Sequence, residues 1–289
     1  MPGDSGTSFV FPCWFDLNLA RTGQEFARKY FGELVFANVF GLVAALADSP
    51  TRRVLFLTGK SNTPEKAFKR YLASVQQVHL WYHSDILSSW WATSIRNVRK
   101  IHSYASFYVE SLNSSVSKLT ATRENNLMGF QPNKKLWKAF KMDLRQFSNG
   151  SQSAEFENSD PKFKLNHYGM TLTLWGVLAL PVLNPVSLGI VMPSDEKGLK
   201  GFVHLWSIIR YALRTDEQFI FCKDTRSDND WRESKRQLRD IHIFETLVAP
   251  TFELGLRKRD NALIDAFGNS VDFIYFILLT TSYCVLHEK

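Results

Sequence analysis

Cysteine is scarce: Cys13, Cys222 and Cys284 stand far apart in 289 residues and no C-x-x-C occurs, which excludes a disulfide framework and a zinc ribbon. Neither G-x-G-x-x-G nor G-x-x-x-x-G-K-[ST] is present, and there is no G-x-S-x-G elbow. Nucleotide enzymes and the common serine hydrolases therefore drop out. Internal repeats, low-complexity tracts and strand-like alternation are nearly absent as well. The basic excess, 35 Lys+Arg against 28 Asp+Glu, is spread thinly, with Arg257-Lys258-Arg259 the longest cluster. That patterning argues against nucleic acid as a partner and suits weak attraction to an anionic membrane surface. Residues 1–11 carry neither a basic n-region nor an apolar h-region, so an intracellular chain without a signal peptide is expected.

Aromatic residues are abundant, with 23 Phe and 8 Trp. Such a chain needs a bulky apolar core or an apolar pocket. Helical periodicity runs almost throughout and predicts an all-α protein, a single globular helical domain of about eight helices. Expected helices run over Gln24–Leu46, from Thr63-Pro64-Glu65 to about His83, from Ser88 to Leu112, around Lys134–Phe147, from near Asn166, from Pro193-Ser194-Asp195-Glu196 to about Leu213, over Arg232–Leu247 and over Ala262–Leu286. Val54–Leu57 reads as a short extended piece, and Ser148–Pro161 as a long polar loop.

Two apolar stretches bear on location. Met170–Val191 is uncharged, but Pro181, Asn184 and Pro185 break its helix near the middle, which fits a core helix and its exit turn better than a membrane span. Phe273–Leu286 is shorter and aromatic-rich. It is expected to touch an intracellular membrane. The expected division is a catalytic domain over 12–260 and a C-terminal apolar helix over 261–289.

Seven histidines offer metal ligands, and His79 and His83 share a helix face at i, i+4. A zincin needs Glu after the first His, and Leu80 stands there. Cys222 and Cys284 lie in apolar company, where a thiol stays protonated. What remains is a helical, aromatic-rich box with isolated histidines, an interior suited to a large apolar cofactor such as haem held by one axial His.

Several segments carry a resemblance: Phe11-Pro-Cys-Trp-Phe-Asp16, Gly23-Gln24-Glu25-Phe26, the run from Phe56 to Leu72, Trp81-Tyr-His-Ser-Asp85, Val98-Arg-Lys-Ile-His-Ser103, and Gly201-Phe-Val-His-Leu-Trp-Ser-Ile-Ile-Arg-Tyr211. In order and spacing they resemble an arthropod-like branch of the catalytic-domain family shared by the ER-bound oxygenase mpaB and the rubber oxygenase (latex clearing protein). The resemblance covers roughly Pro12 to Pro250. It implies an all-α, haem b-dependent oxygenase that uses dioxygen to cleave carbon–carbon double bonds in an apolar, isoprenoid or lipid-like substrate. The family's Arg-x-x-x-Thr, followed later by the iron-ligating His, matches Arg70-Tyr-Leu-Ala-Ser74 and His102. The resemblance thus makes His102 the axial ligand, Arg70 a propionate or oxygen partner, and Ser74 a distal donor. A distal Lys of the rubber oxygenases is replaced by Ala73, and their Glu has no counterpart near Val54.

The residues alone agree in outline. Arg70 and Ser74 lie i, i+4 on one helix and can face one partner. His102 follows Ile95 and Val98 on the next helix, with Ser106 one turn on. His204, between Phe202 and Trp206, is the rival ligand, and a non-catalytic lipid- or terpenoid-binding protein of the same fold is the alternative function.

Overall fold

The structure is a computed structural model and describes residues 10–47, 54–55, 57–61, 63–112, 165, 167–220 and 222–240. Within them the chain is all-helical, as the periodicity predicts: α1 (Leu17–Lys29), α2 (Phe31–Ala47), α3 (Pro64–His83), α4 (Ser89–Leu112), α5 (His167–Leu183), α6 (Glu196–Ala212) and α7 (Asp228–Asp240), with 3-10 turns at Val186–Leu188 and Glu217–Phe219. The expected elements at Lys134–Phe147, Ser148–Pro161 and 261–289 lie outside the described residues. The described residues divide into two compact units, the larger from 10–45, 71–108 and 165–240, the smaller from 46–47, 54–70 and 109–112.

In the larger unit α6 is almost wholly buried from Leu199 to Ala212, with only Lys200 and Tyr211 half-buried. Helix α1 crosses it backbone to backbone: a Cβ on Gly23 would stand 2.1 Å from the carbonyl oxygen of Gly201. Helices α2 and α5 meet in the same way, with a Cβ on Gly41 falling 2.1 Å from the Gly176 oxygen. Phe26, Tyr82, Phe202 and Trp206 fill the space around the first crossing with tilted and edge-on rings.

Helix ends follow local chemistry where the sequence carries it. Asp16 caps α1 through its Oδ1, which accepts the Leu19 N–H at 3.0 Å. Ser88 caps α4, its Oγ accepting the Trp91 N–H at 3.1 Å. The last turn of α3 is closed from outside: Gln24 Nε2 donates to the carbonyls of Trp81 and Ser84, each at 2.7 Å, and Arg28 Nη1 to that of Tyr82 at 2.6 Å. A guanidinium at a helix C-terminus also meets the negative end of the dipole.

Three expectations need correction. The helix expected over Gln24–Leu46 is two helices parted at Tyr30, which leaves helical geometry (φ −111°, ψ 31°) while its hydroxyl donates to Asp195 Oδ2 at 2.6 Å and accepts the Val191 N–H at 3.2 Å. That tertiary anchor is absent from local sequence. Val54 and Leu55 are helical rather than extended, with the Thr58 N–H bonded to the Val54 carbonyl at 3.3 Å. Pro181 does not break its helix: α5 runs through it to Leu183, held by burial of Met170, Leu174, Leu178 and Val182. The reading of Met170–Val191 as a core helix with an exit turn holds. No helix among the described residues is long and apolar enough to cross a membrane.

In the smaller unit Val54 and Val109 are buried together with Leu57 against them.

Candidate functional site

Of the residues singled out by sequence, Arg70 belongs to the smaller unit, and Ser74 and His102 to the larger. Arg70 is half-buried and donates from Nη1 to Ser61 Oγ at 3.1 Å. Ser74 and its neighbour Ala73 are exposed on α3. His102 is half-buried on α4, one turn after Val98 and two after the buried Ile95. Around it α4 exposes Ile101, Tyr104 and Phe107, each with more than half of its surface open.

The other described histidines have defined work. His204 is fully buried and committed at both nitrogens: Nε2 accepts the Asp16 N–H at 3.0 Å and Nδ1 faces the Lys223 carbonyl at 3.3 Å. An acceptor at Nε2 places the proton on Nδ1, so the ring is a neutral clip between the start of α1 and the segment after α6. Burial holds its pKa below the ordinary histidine value, against the smaller opposite pull of the Lys223 carbonyl. His204 is not a rival iron ligand in this arrangement. His167 is buried, accepts the Asp216 N–H at Nδ1 (3.4 Å) and stacks on Phe219 with ring centroids 4.9 Å apart. His79 and His83 stack on one another at 3.9 Å on an exposed face, and no group of three metal-ligating side chains occurs among the described residues.

Cys222 is buried, and its thiol, pushed up to about 12 by burial, donates to the Ser234 carbonyl at 3.4 Å. It stays a thiol at neutral pH, as its apolar neighbours suggest. It sits at φ 62°, its N–H held by Gln237 Oε1 at 3.1 Å, beside a recess of about 480 Å³ lined by Thr171, Phe219, Asp224, Glu233, Ser234 and Gln237. Such polar walls do not suit an isoprenoid chain.

No protein family matches the chain, and no curated protein or solved structure matches it either.

Sequence reasoning missed Arg210. It is 3% exposed, in the middle of the core, and its Nε and Nη2 are enclosed without a hydrogen-bond partner. The signal was present: between Lys200 and Arg214 it is the only Lys, Arg, Asp or Glu in the chain.

Proposed function

We propose that this chain is a haem-dependent oxygenase acting, with dioxygen, on an apolar substrate of isoprenoid or lipid-like kind. The reading rests on the sequence resemblance and on one structural observation, the place of His102. With His204 and His167 bonded in the core and His79 and His83 stacked at the surface, His102 is, among the described residues, the half-buried imidazole on a helix of the larger unit. The donor set fits haem b in kind: an imidazole for iron and guanidinium groups for acidic edges. Haem, when bound, supplies iron that activates dioxygen toward a carbon–carbon double bond.

The chain's own residues have simpler tasks. His102 would ligate the iron, oriented by its place on α4. Arg70 keeps the role that the resemblance implies, a fork of fixed donors for an acidic group or for bound oxygen. Ser74 offers a hydroxyl one turn further along α3. Ile101, Tyr104 and Phe107 form an open apolar face that supports an apolar substrate and, with a net charge of +7, approach to an anionic intracellular membrane. The segment expected to make that membrane contact, Phe273–Leu286, lies outside the described residues.

Purified full-length protein supplied with haem should show a Soret band, and His102→Ala should lose it while keeping its helical circular dichroism. Absence of the band from the parent protein, or its survival at full stoichiometry in the variant, would end the reading. A second reading, a lipid- or terpenoid-binding protein without turnover, is favoured by the exposure of Ala73 and Ser74, where the rubber oxygenases carry distal groups. Oxygen uptake with aldehyde or ketone products from isoprenoid substrates separates the two: turnover supports the oxygenase, and binding without uptake supports the carrier.

A further inference from the structure

The end of α6 holds buried polar groups that lack hydrogen-bond partners. The Arg210 guanidinium is enclosed, Nε and Nη2 meet no acceptor, and burial alone pushes its pKa down to about 9, with no carboxylate contributing. It therefore remains a cation at neutral pH. Thr215, 2% exposed, has an Oγ1 in the same condition.

These two residues are brought together by the way the helix stops. The Arg214 N–H bonds to the Tyr211 carbonyl at 2.9 Å, the Thr215 N–H bonds to the Arg210 carbonyl at 3.0 Å, and Arg214 takes the left-handed conformation (φ 64°). This is the Schellman closure, in which the side chains at the positions of Arg210 and Thr215 fold toward each other. In most proteins that contact is apolar. Here those two positions hold a guanidinium and a hydroxyl, both buried and both short of partners. Arg210 also lies one turn beyond Trp206, on the side of α6 where the Trp206 indole N–H donates to the Tyr82 hydroxyl of α3 at 2.9 Å.

A buried charge without a counter-ion is among the most costly features a core can hold, and it persists where something outside the polypeptide pairs with it. A guanidinium fork matches a carboxylate with two parallel bonds, and because Phe202, Leu205, Ile209 and Leu213 on the same stretch of chain are buried apolar side chains, the body behind such a head would have to be apolar. We propose that Arg210, with Thr215, anchors the carboxylate of an otherwise apolar ligand. Two ligands share this chemistry, a long-chain carboxylic acid and a porphyrin propionate. The inference goes beyond the oxygenase reading, because it concerns residues which that reading leaves without a task.

The test compares acids with their esters on the full-length protein: oleate against methyl oleate, and haemin against its dimethyl ester, by quenching of tryptophan fluorescence and by thermal midpoint. In the parent protein at least one acid should bind about tenfold or more tightly than its ester. Arg210→Met should abolish that preference and raise the midpoint of the ligand-free protein, since an unpaired buried ion has been replaced by an apolar chain of similar reach. Equal binding of acid and ester in both pairs overturns the proposal, a comparison that needs no variant to fold. A preference that survives Arg210→Met, or a ligand-free midpoint that falls in that variant, overturns it too. The pair that shows the preference identifies the source. A Soret band from haemin that bound equally as acid and ester would sink this inference and leave the haem reading standing. An oleate preference without any Soret band would do the reverse.

Discussion

The crossing of α1 and α6 and the outer stretch of α4 belong to the same compact unit, yet they are built on opposite terms. At the crossing, backbones touch through Gly23 and Gly201, Asp16 both caps α1 and donates its N–H to His204, and the rings of Phe26, Phe202 and Trp206 close the gaps. On α4, Ile101, Tyr104 and Phe107 stand open around a half-buried His102. The lesson is that a buried histidine in apolar company is not thereby a ligand. His204, the rival candidate by sequence, is a structural clip, while His102 is half-buried on α4.

Breaking the crossing should produce the largest effect. Gly23→Ala places a methyl 2.1 Å from a carbonyl oxygen and 2.8 Å from the Phe202 nitrogen, both backbone atoms that cannot yield without separating the helices. A loss of roughly 3 kcal/mol or more is expected in chemical denaturation. Gly32→Ala is the control: nothing lies within 4 Å of its Cβ, so stability should stay within about 1 kcal/mol of the parent. Equal effects at the two glycines would mean that the close crossing is not real.

His204→Ala should come next. It leaves the Asp16 N–H and the Lys223 carbonyl without their partner and opens a cavity, at a cost of about 2–4 kcal/mol. A change below about 1 kcal/mol would return the residue to the list of candidate ligands.

The same clip carries a pH signature. The folded-state pKa of His204 is lowered by burial, so between that value and the unfolded one, about 6.5, the unfolded chain binds more protons than the folded chain. Its contribution to stability is therefore complete above about pH 6.5 and declines as pH falls below it. His204→Gln, whose amide can accept at one end and donate at the other, should flatten this part of the pH–stability curve. A parallel curve in the variant would place the acid sensitivity elsewhere.

The smallest effect is expected at the exposed pair of Arg21 and Asp85, 3.0 Å apart with side chains about half open to solvent. Arg21→Ala should leave the thermal midpoint unchanged within measurement, because water and salt screen such pairs. A clear drop would mean that the α1 surface matters more than its core face.

Much of this fold was legible from local chemistry. The N-cap, proline and acid at Thr63-Pro64-Glu65 give the start of α3, and Ser88 gives that of α4 within a residue. The break at Tyr30 was not legible, because the bond holding it comes from Asp195, 165 residues away. Asp195 stands at the N-cap of α6, where the run from Pro193 to Glu196 puts the helix start. Its carboxylate, however, is engaged by Lys29 and Tyr30 and not by an α6 N–H. At the candidate site, sequence could propose Arg70, Ser74 and His102 but could not tell that Ser74 is exposed, since side-chain burial depends on neighbours distant in the chain. Arg210 was the readable signal left unread, a single ion in an apolar run.

The bond from Asp16 to His204 spans 188 residues. During synthesis at about 5–20 residues per second, α1 leaves the ribosome roughly 10–40 s before the helix that it must touch. Through that interval Gly23 faces no opposing backbone, and the buried faces of Phe26 and Tyr30 have no cover from α6. An N-terminal fusion that delays docking of α1 should therefore lower the yield of native protein more than an equal fusion elsewhere.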